Sequence, residues 1–290
     1  NLKICDPACG SGHFLIAAAY RLAKVLASVR TGEEEPAPEA YETALREVIA
    51  HCLYGVDLNE WAVELCKVNL WLESLEPGKP LSFLDHRILV GNSLLGATPA
   101  LMARGIPDDA FNAIEGDNKA DSTRLKKANR AERRARETGQ LPLFDPPADY
   151  RALSFSWAQL DEAPDSNLSE WEQKEAYYAA LRQSDDYRRA CTVANAWCAA
   201  FVWDKRPETP ALTDAVFNRF CADPFGDEFS VVRAEVERLT EQYRFFHWHC
   251  EFPDVFHVLD ALDSTAPMGW TGGFDCVLGN PPWERIKIQE

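Results

Sequence analysis

The 290-residue sequence lacks any apolar run long enough to cross a bilayer. Its longest apolar stretches, such as Phe14 to Ala19, fall far short of the ~18–20 residues a membrane helix needs, so no membrane partner is expected. It also lacks a basic stretch leading into an apolar signal core, which points to a cytoplasmic protein. There is no even set of cysteines to form a disulfide framework. The nine (Cys5, Cys9, Cys52, Cys66, Cys191, Cys198, Cys221, Cys250, Cys276) are scattered through apolar patterns, as buried thiols in a reducing compartment would be. Positive charge is scarce as well: 30 Lys and Arg face 46 Asp and Glu, a net of −16. A surface that grips duplex DNA by itself normally shows a basic footprint, so this chain alone is expected to bind DNA poorly. What remains is a soluble globular composition, 46% hydrophobic, at a length that suggests about two units.

From Asn1 to Gly96, short β-type runs alternate with helical patterns, the signature of a parallel sheet wound with helices. Strands are expected at Leu2–Cys5, Cys52–Val56 and Arg87–Val90. Helical stripes are expected through Leu15, Ala18, Leu22, Val25, Leu26 and Val29, through Tyr41, Ala44, Leu45, Val48 and Ile49, and through Ala62, Val63, Cys66, Leu70 and Trp71. The middle of the chain changes character. Lys119–Arg136 sets eight basic residues against Asp121 and Glu132 and reads as a solvated helix rather than a DNA contact. Gln140–Tyr150, with three prolines, reads as a linker, and Trp171–Leu181, Arg188–Val202 and Phe229–Tyr243 read as aromatic-rich helices. A strand pattern returns at Phe274–Leu278. Three segments follow: 1–98 as half of an α/β core, 99–244 as a mainly helical insertion with the basic segment and Pro-rich linker, and 245–290 as the return to the core.

Three motifs carry chemistry. In Asp6-Pro7-Ala8-Cys9-Gly10-Ser11-Gly12, glycines between a strand end and a helix start let the backbone turn sharply and approach a ligand. The third Gly of the dinucleotide fingerprint and the Lys-Ser or Lys-Thr of a phosphate loop are both missing, so neither NAD nor ATP is the preferred ligand; an ordinary tight turn is the plain alternative. Asp57, ending the second strand, is placed to accept hydrogen bonds from two ribose hydroxyls, or else to join a capping turn with Asn59. In Asn280-Pro281-Pro282-Trp283, the prolines stiffen a rim that offers the Asn280 amide oxygen and the Pro281 carbonyl as acceptors for both hydrogens of an exocyclic amine. Trp283 can stack on the ring bearing that amine; the bland alternative is a stiffened turn with a packed Trp. His247, His249, Cys250 and Glu251 are adjacent rather than set in separated pairs, so no metal site is expected.

Asp6 to Leu15, Tyr54-Gly55-Val56-Asp57-Leu58-Asn59, Gly91-Asn92-Ser93-Leu94 and Gly279 to Trp283, in that order, resemble motifs I to IV of class I S-adenosylmethionine-dependent DNA adenine-N6 methyltransferases with the gamma-like motif order. Together with Phe246 to Phe256 they are similar to the large methylases of type II restriction-modification and related phage-defence systems. The resemblance implies a Rossmann-like three-layer α/β fold, with a helical insertion between the third and fourth strands of its sheet. It also implies S-adenosyl-L-methionine as cofactor. Asp6, Pro7 and the backbone of Ala8, Cys9, Gly10, Ser11 and Gly12 would surround the methionine end. Asp57 would take the ribose, Leu58 the adenine face, and Asn92, with Ser93 beside it, the adenine edge. Asn280 and Pro281 would hold the target N6 amine, with Pro282 stiffening the rim and Trp283 stacked on a flipped-out adenine.

Two departures stand out. Many relatives carry Asp where this chain has Asn92, whose amide oxygen can still accept from the adenine amine. The resemblance also implies a piece of a larger enzyme, lacking a segment before motif I and everything beyond residue 290. Double-stranded DNA would then be gripped mostly by regions outside this chain, with restriction or defence subunits as further partners. A protein-glutamine or RNA methyltransferase is the enzymatic alternative; a non-catalytic scaffold or specificity subunit on the same fold is the other. Asn rather than Ser at position 280 favours adenine over cytosine.

Overall fold

The computed structural model describes residues 2–138, 148–206, 209–259 and 265–280. The chain opens with β1 (Ile4–Asp6), α1 (His13–Thr31), α2 (Pro38–Cys52), β2 (Leu53–Asp57), α3 (Glu60–Glu73) and β3 (Ile88–Val90). Helices follow: α4 (Pro99–Ala103), α5 (Lys119–Glu137), α6 (Tyr150–Glu162), α7 (Leu168–Gln183), α8 (Asp185–Val202), α9 (Asp214–Ala222), α10 (Ser230–Tyr243) and α11 (Trp248–Glu251). Short strands β4 (Phe256–Val258), β5 (Trp270–Gly272) and β6 (Cys276–Val277) close the described chain. No helix among the described residues is long and apolar enough to cross a membrane.

Two compact units emerge. The first comprises Asn1–Ser93, Leu160–Tyr178 and Gly273–Glu290. Its sheet has the order β3-β2-β1-β6, every pair parallel, with Ile4 opposite Leu53 and Cys276, and Gly55 opposite Ile88. This is the expected α/β fold, and the long insertion does fall between the third and fourth strands of the sheet. α1 begins at Gly12 and ends at Gly32, both in the left-handed region, the Gly32 N–H bonding to Ser28 O at 2.9 Å. Its buried face is Leu15, Ala19, Ala23 and Ala27, while Val25 and Val29, expected inside, are exposed. The small residues win because they let the helix close on α2 and the sheet; Leu22 and Leu26 pack at the edge of the same core. α2 starts on Pro38, whose missing N–H costs nothing there, and buries Ala44, Leu45, Val48 and Ile49 as expected.

The opposite face of the sheet is buried too, as parallel strands require. Tyr54 lies there against Phe274, with ring centroids 5.1 Å apart, and the guanidinium of fully buried Arg87 covers its ring at 4.6 Å. Arg87 Nη1 donates to His51 O at 2.8 Å, and Nη2 pairs with Asp161 at the end of α6. Burial alone would raise the Asp161 carboxyl, but His51, His86 and Arg87 around it hold it well below the usual carboxylate range. Phe83 packs edge-on to Trp171 and Tyr178 of α7, and its N–H bonds to Asp165 at 3.2 Å. The stretch 160–178, expected within the insertion, therefore belongs to the core unit.

The second unit comprises Leu94–Gln159 and Ala179–Gly272. Its core is built on α8, with Val193, Ala194, Trp197 and Ala200 packed against Met102, Ile106, Phe217, Phe220 and Val236. α5 forms as expected but is not solvated all round: Leu125, Asn129 and Arg136 are buried. Its cations are met by acids of the same unit, Arg130 by Asp108 at 2.8 Å and Arg136 by Asp214 at 3.1 Å. Residues 245–272, expected to return to the core, fold here instead. Phe246 N–H bonds to Leu95 O at 2.8 Å, Ala97 N–H donates to His247 Nδ1 at 3.0 Å, and β4 pairs antiparallel with β5. The insertion is thus not wholly helical. α4, α6 and α9 were not expected from the apolar spacing, and the linker around 139–147 lies outside the described residues.

Candidate functional site

The first unit gathers the candidate residues at the carboxyl ends of β1, β2, β3 and β6, where ligands bind in open parallel sheets. After β1 the chain turns through Pro7–Gly12 with Gly10 at φ 52° and Gly12 at φ 85°, both left-handed. Cys9 N–H donates to Val56 O at 3.0 Å, and Gly12 N–H to Cys9 O at 2.8 Å, so the turn is tied to β2 and to itself. Nothing lies within 4 Å of where a Gly10 side chain would point, which leaves the backbone open to a ligand. At Gly12 the reverse holds: an added Cβ would meet Cys66 Sγ of α3 at 2.7 Å.

Asp57 occupies both roles considered for it. Its Oδ2 accepts from Gly10 N–H at 2.9 Å and its Oδ1 from Asn59 N–H at 2.8 Å, while Asn59 itself caps α3 by accepting from Trp61 N–H. A carboxylate has about four lone-pair positions, so two remain for hydroxyl donors. The cap and a ribose site are therefore compatible. Leu58, 53% exposed, stands beside it. After β3, Ser93 Oγ donates to Pro7 O at 2.7 Å, joining the third motif to the first; Asn92, half-buried, precedes it.

Asp6 is buried, and its Oδ1 accepts from Ala8 N–H at 3.0 Å. Its Oδ2 is buried with no hydrogen-bond partner among the described residues. Burial, opposed by the Ala8 N–H and reinforced by the nearby charge of Asp57, raises its carboxyl above the usual range. Such an orphaned acceptor is costly unless a donor arrives. Leu278 N–H bonds to Cys5 O at 2.9 Å, and a Cβ on Gly279 would lie 2.5 Å from Asp6 Oδ1. The chain leading into Asn280 is thereby laid directly on the first motif. Asn280 is exposed; Pro281, Pro282 and Trp283 lie outside the described residues.

Two supports were not legible beforehand. Asn69 Nδ2 of α3 donates to Ser11 O at 2.8 Å, and the Cys66 thiol bonds to that of Cys9 beneath the turn. An Asn in mid-helix was the available signal, since a short amide there competes with the helix unless it has a partner. His247 and His249 lie buried in the second unit and take no part in this site.

The Eco57I restriction-modification methylase family matches residues 51–290, most of the chain. The chain belongs to that family. The MmeI DNA-methyltransferase domain matches residues 1–79, the part that carries the glycine turn and Asp57. A protein of Methanocaldococcus jannaschii named as a type II restriction enzyme and methyltransferase is 36% identical over 105 residues, 33% of this chain and 9% of its own length. The type II restriction enzyme and methyltransferase RM.Eco57I of Escherichia coli is 32% identical over 112 residues, 33% of this chain and 11% of its own. The adenine-specific methyltransferase PglX of Streptomyces coelicolor is 31% identical over 75 residues, 26% of this chain and 6% of its own. The chain thus spans about a tenth or less of the length of these curated relatives. No solved structure matches it. Membership of the Eco57I family agrees with a methyltransferase core in the first unit, and the residues of the site fit the cofactor such a core uses. There is an orphaned carboxylate oxygen for an ammonium, an open glycine turn, an Asp57 with lone pairs to spare and an exposed leucine beside it.

Proposed function

We propose that the protein binds S-adenosylmethionine at the Asp6–Gly12 turn and methylates the N6 amine of adenine in DNA, within a larger restriction-modification or phage-defence methylase. The observation that carries this reading is the convergence of all four motifs in one unit. Gly10 bonds to Asp57, Ser93 bonds to Pro7, and Gly279 lies on Asp6. When bound, the cofactor supplies a methyl group on a positively charged sulfur. Asp6 and Asp57 give the site a negative potential suited to that cation, with Asp6 Oδ2 accepting from the ammonium and Asp57 from the ribose hydroxyls. Leu58 would cover the adenine face, and Asn92 and Ser93 would border its edge.

Asn280 and Pro281 would each accept one hydrogen of the target amine and so aim its nitrogen lone pair, with Trp283 stacked on the extruded base and Pro282 keeping the rim stiff. Alignment of this kind supplies much of the rate for a transfer that needs no protein nucleophile. Adenine rather than cytosine is supported by Asn at position 280 and by the adenine-specific relative in Streptomyces. The duplex would be held mainly by regions outside this chain, since the chain carries a net charge of −16.

Calorimetric titration with S-adenosylmethionine, S-adenosylhomocysteine, ATP and NAD, followed by methyl transfer to DNA, tests this. Selective binding of the first two is expected. Asn280→Ala should leave cofactor affinity within about twofold and lower transfer by roughly 10²–10³, the usual cost of removing one preorganised polar contact to the reacting group. An active Asn280→Ala enzyme would overturn the amine-holding role. Asp57→Ala should weaken cofactor binding by about 10–100-fold, the worth of charge-assisted hydrogen bonds, and equal affinity would overturn the ribose role.

A further inference from the structure

Helix α3 is apolar on two opposite faces. Val63, Cys66 and Leu70 lie in the core. The outer face carries Trp61, Leu65, Val68, Leu72 and, just past the helix end, Leu75, exposed at 83, 49, 42, 61 and 61%. Single exposed leucines are ordinary, but these five fall at alternating steps of four and three. That spacing keeps side chains in one line along a helix and suits them to a second helix packed alongside. A helix whose outer face met only water would carry polar residues there.

The rim of this line has one sign of charge. Glu60 and Glu64 are the exposed charged residues of α3, and its one basic side chain, Lys67, is buried and paired with Glu64 at 2.9 Å and Asp85 at 2.6 Å. A second copy of a chain with net charge −16 would set these acids against their own kind, and an anionic lipid surface would be repelled in the same way.

We infer that the outer face of α3 is a docking seam for a basic amphipathic helix of a partner protein, with apolar residues at the same spacing and Lys or Arg flanking them. Leu58, at the head of the line, belongs to the cofactor site and is left out of the seam, so the inference stands independently of the proposed activity.

The test uses two synthetic helices of about 21 residues, three heptads, with leucine at the seam positions and either Lys or Glu at every flanking position. Each is titrated by fluorescence anisotropy against the full chain and against a Leu65→Lys/Leu72→Lys double variant, whose melting should match the parent because both sites are exposed. The Lys-flanked helix should bind saturably, at least tenfold more tightly than the Glu-flanked one, and the double variant should weaken it at least tenfold. Equal binding of the two helices, no saturable binding, or an unaffected double variant would overturn the seam. So would self-association of the parent chain in sedimentation that the double variant abolishes, because the face would then belong to a second copy.

Discussion

Gly12 combines two constraints that alanine cannot meet. Its φ of 85° is strained for any L side chain, and the position a Cβ would take is 2.7 Å from Cys66 Sγ. Gly12→Ala should therefore cost about 1–3 kcal/mol in denaturant unfolding and weaken cofactor binding with it. Gly279 is constrained differently, because its Cβ would press on a carboxylate rather than on the core, 2.5 Å from Asp6 Oδ1. Gly279→Ala is expected to displace Asn280 and lower the methyl-transfer rate more than cofactor affinity; equal losses in both would mean that Asp6 moves instead. Spacing made Gly10, Gly12 and Asp57 legible, since a strand, a turn and a second strand fix where such residues lie. The orphaned Asp6 oxygen and the Asn69 brace were not legible, because both depend on which segments approach in space. Acid should destabilise the protein through its buried imidazoles. Burial lowers His86 to about 4 and His247 to about 3, and drives His249 below its ordinary value. The unfolded chain takes up these protons near pH 6.5, so their contribution is complete above that pH and is lost as the pH falls from there toward 4 or 3. For His86 the loss reaches about 3 kcal/mol. Melting temperatures between pH 7.5 and 5 should fall steadily, and less so in His86→Gln.

At the scale of elements, helices with strong apolar spacing or clear punctuation were legible, and faces less so. Pro38 and Gly32 marked ends correctly, yet the buried stripe of α1 runs through alanines rather than through Val25 and Val29. Spacing says which residues share a face; close helix packing decides which face goes in. α5 makes the same point with charge. Its composition announces water, but Asn129 is wholly buried. Its Nδ2 donates to Ile106 O at 2.9 Å and to Asp108 at 3.2 Å, and its Oδ1 accepts from Asp214 N–H at the start of α9 at 2.8 Å. Asn129→Ala leaves these groups without a partner and should cost about 2–4 kcal/mol. Lys127→Ala and Arg134→Ala, at exposed positions of the same helix, should change stability by no more than about 0.5 kcal/mol in the same assay.

For the whole molecule, charge is the governing quantity. With net −16 and the cations of α5 engaged by Asp108 and Asp214, the chain should bind duplex DNA no more tightly than about 10⁻⁴ M at physiological salt, read by anisotropy of a labelled duplex. Micromolar affinity would point to a basic surface that the net charge hides. The fold class and the place of the insertion were legible because alternating strands and helices leave few topologies open; the partition into units was not. Asp161 and Phe246 each commit their segment to a unit by a few specific bonds that no periodicity announces. The order of strands has a consequence during synthesis. β1 finds its second neighbour only in β6, about 185 residues after β3. At a ribosomal pace of about 5–20 residues per second, one edge of the nascent sheet stays open for roughly 10–40 s while the second unit is being made. Until then β1 presents unpaired backbone to any passing strand, so the newborn chain is a natural client for a holding chaperone, and the strand leading to Asn280 is also the one that ends this exposure.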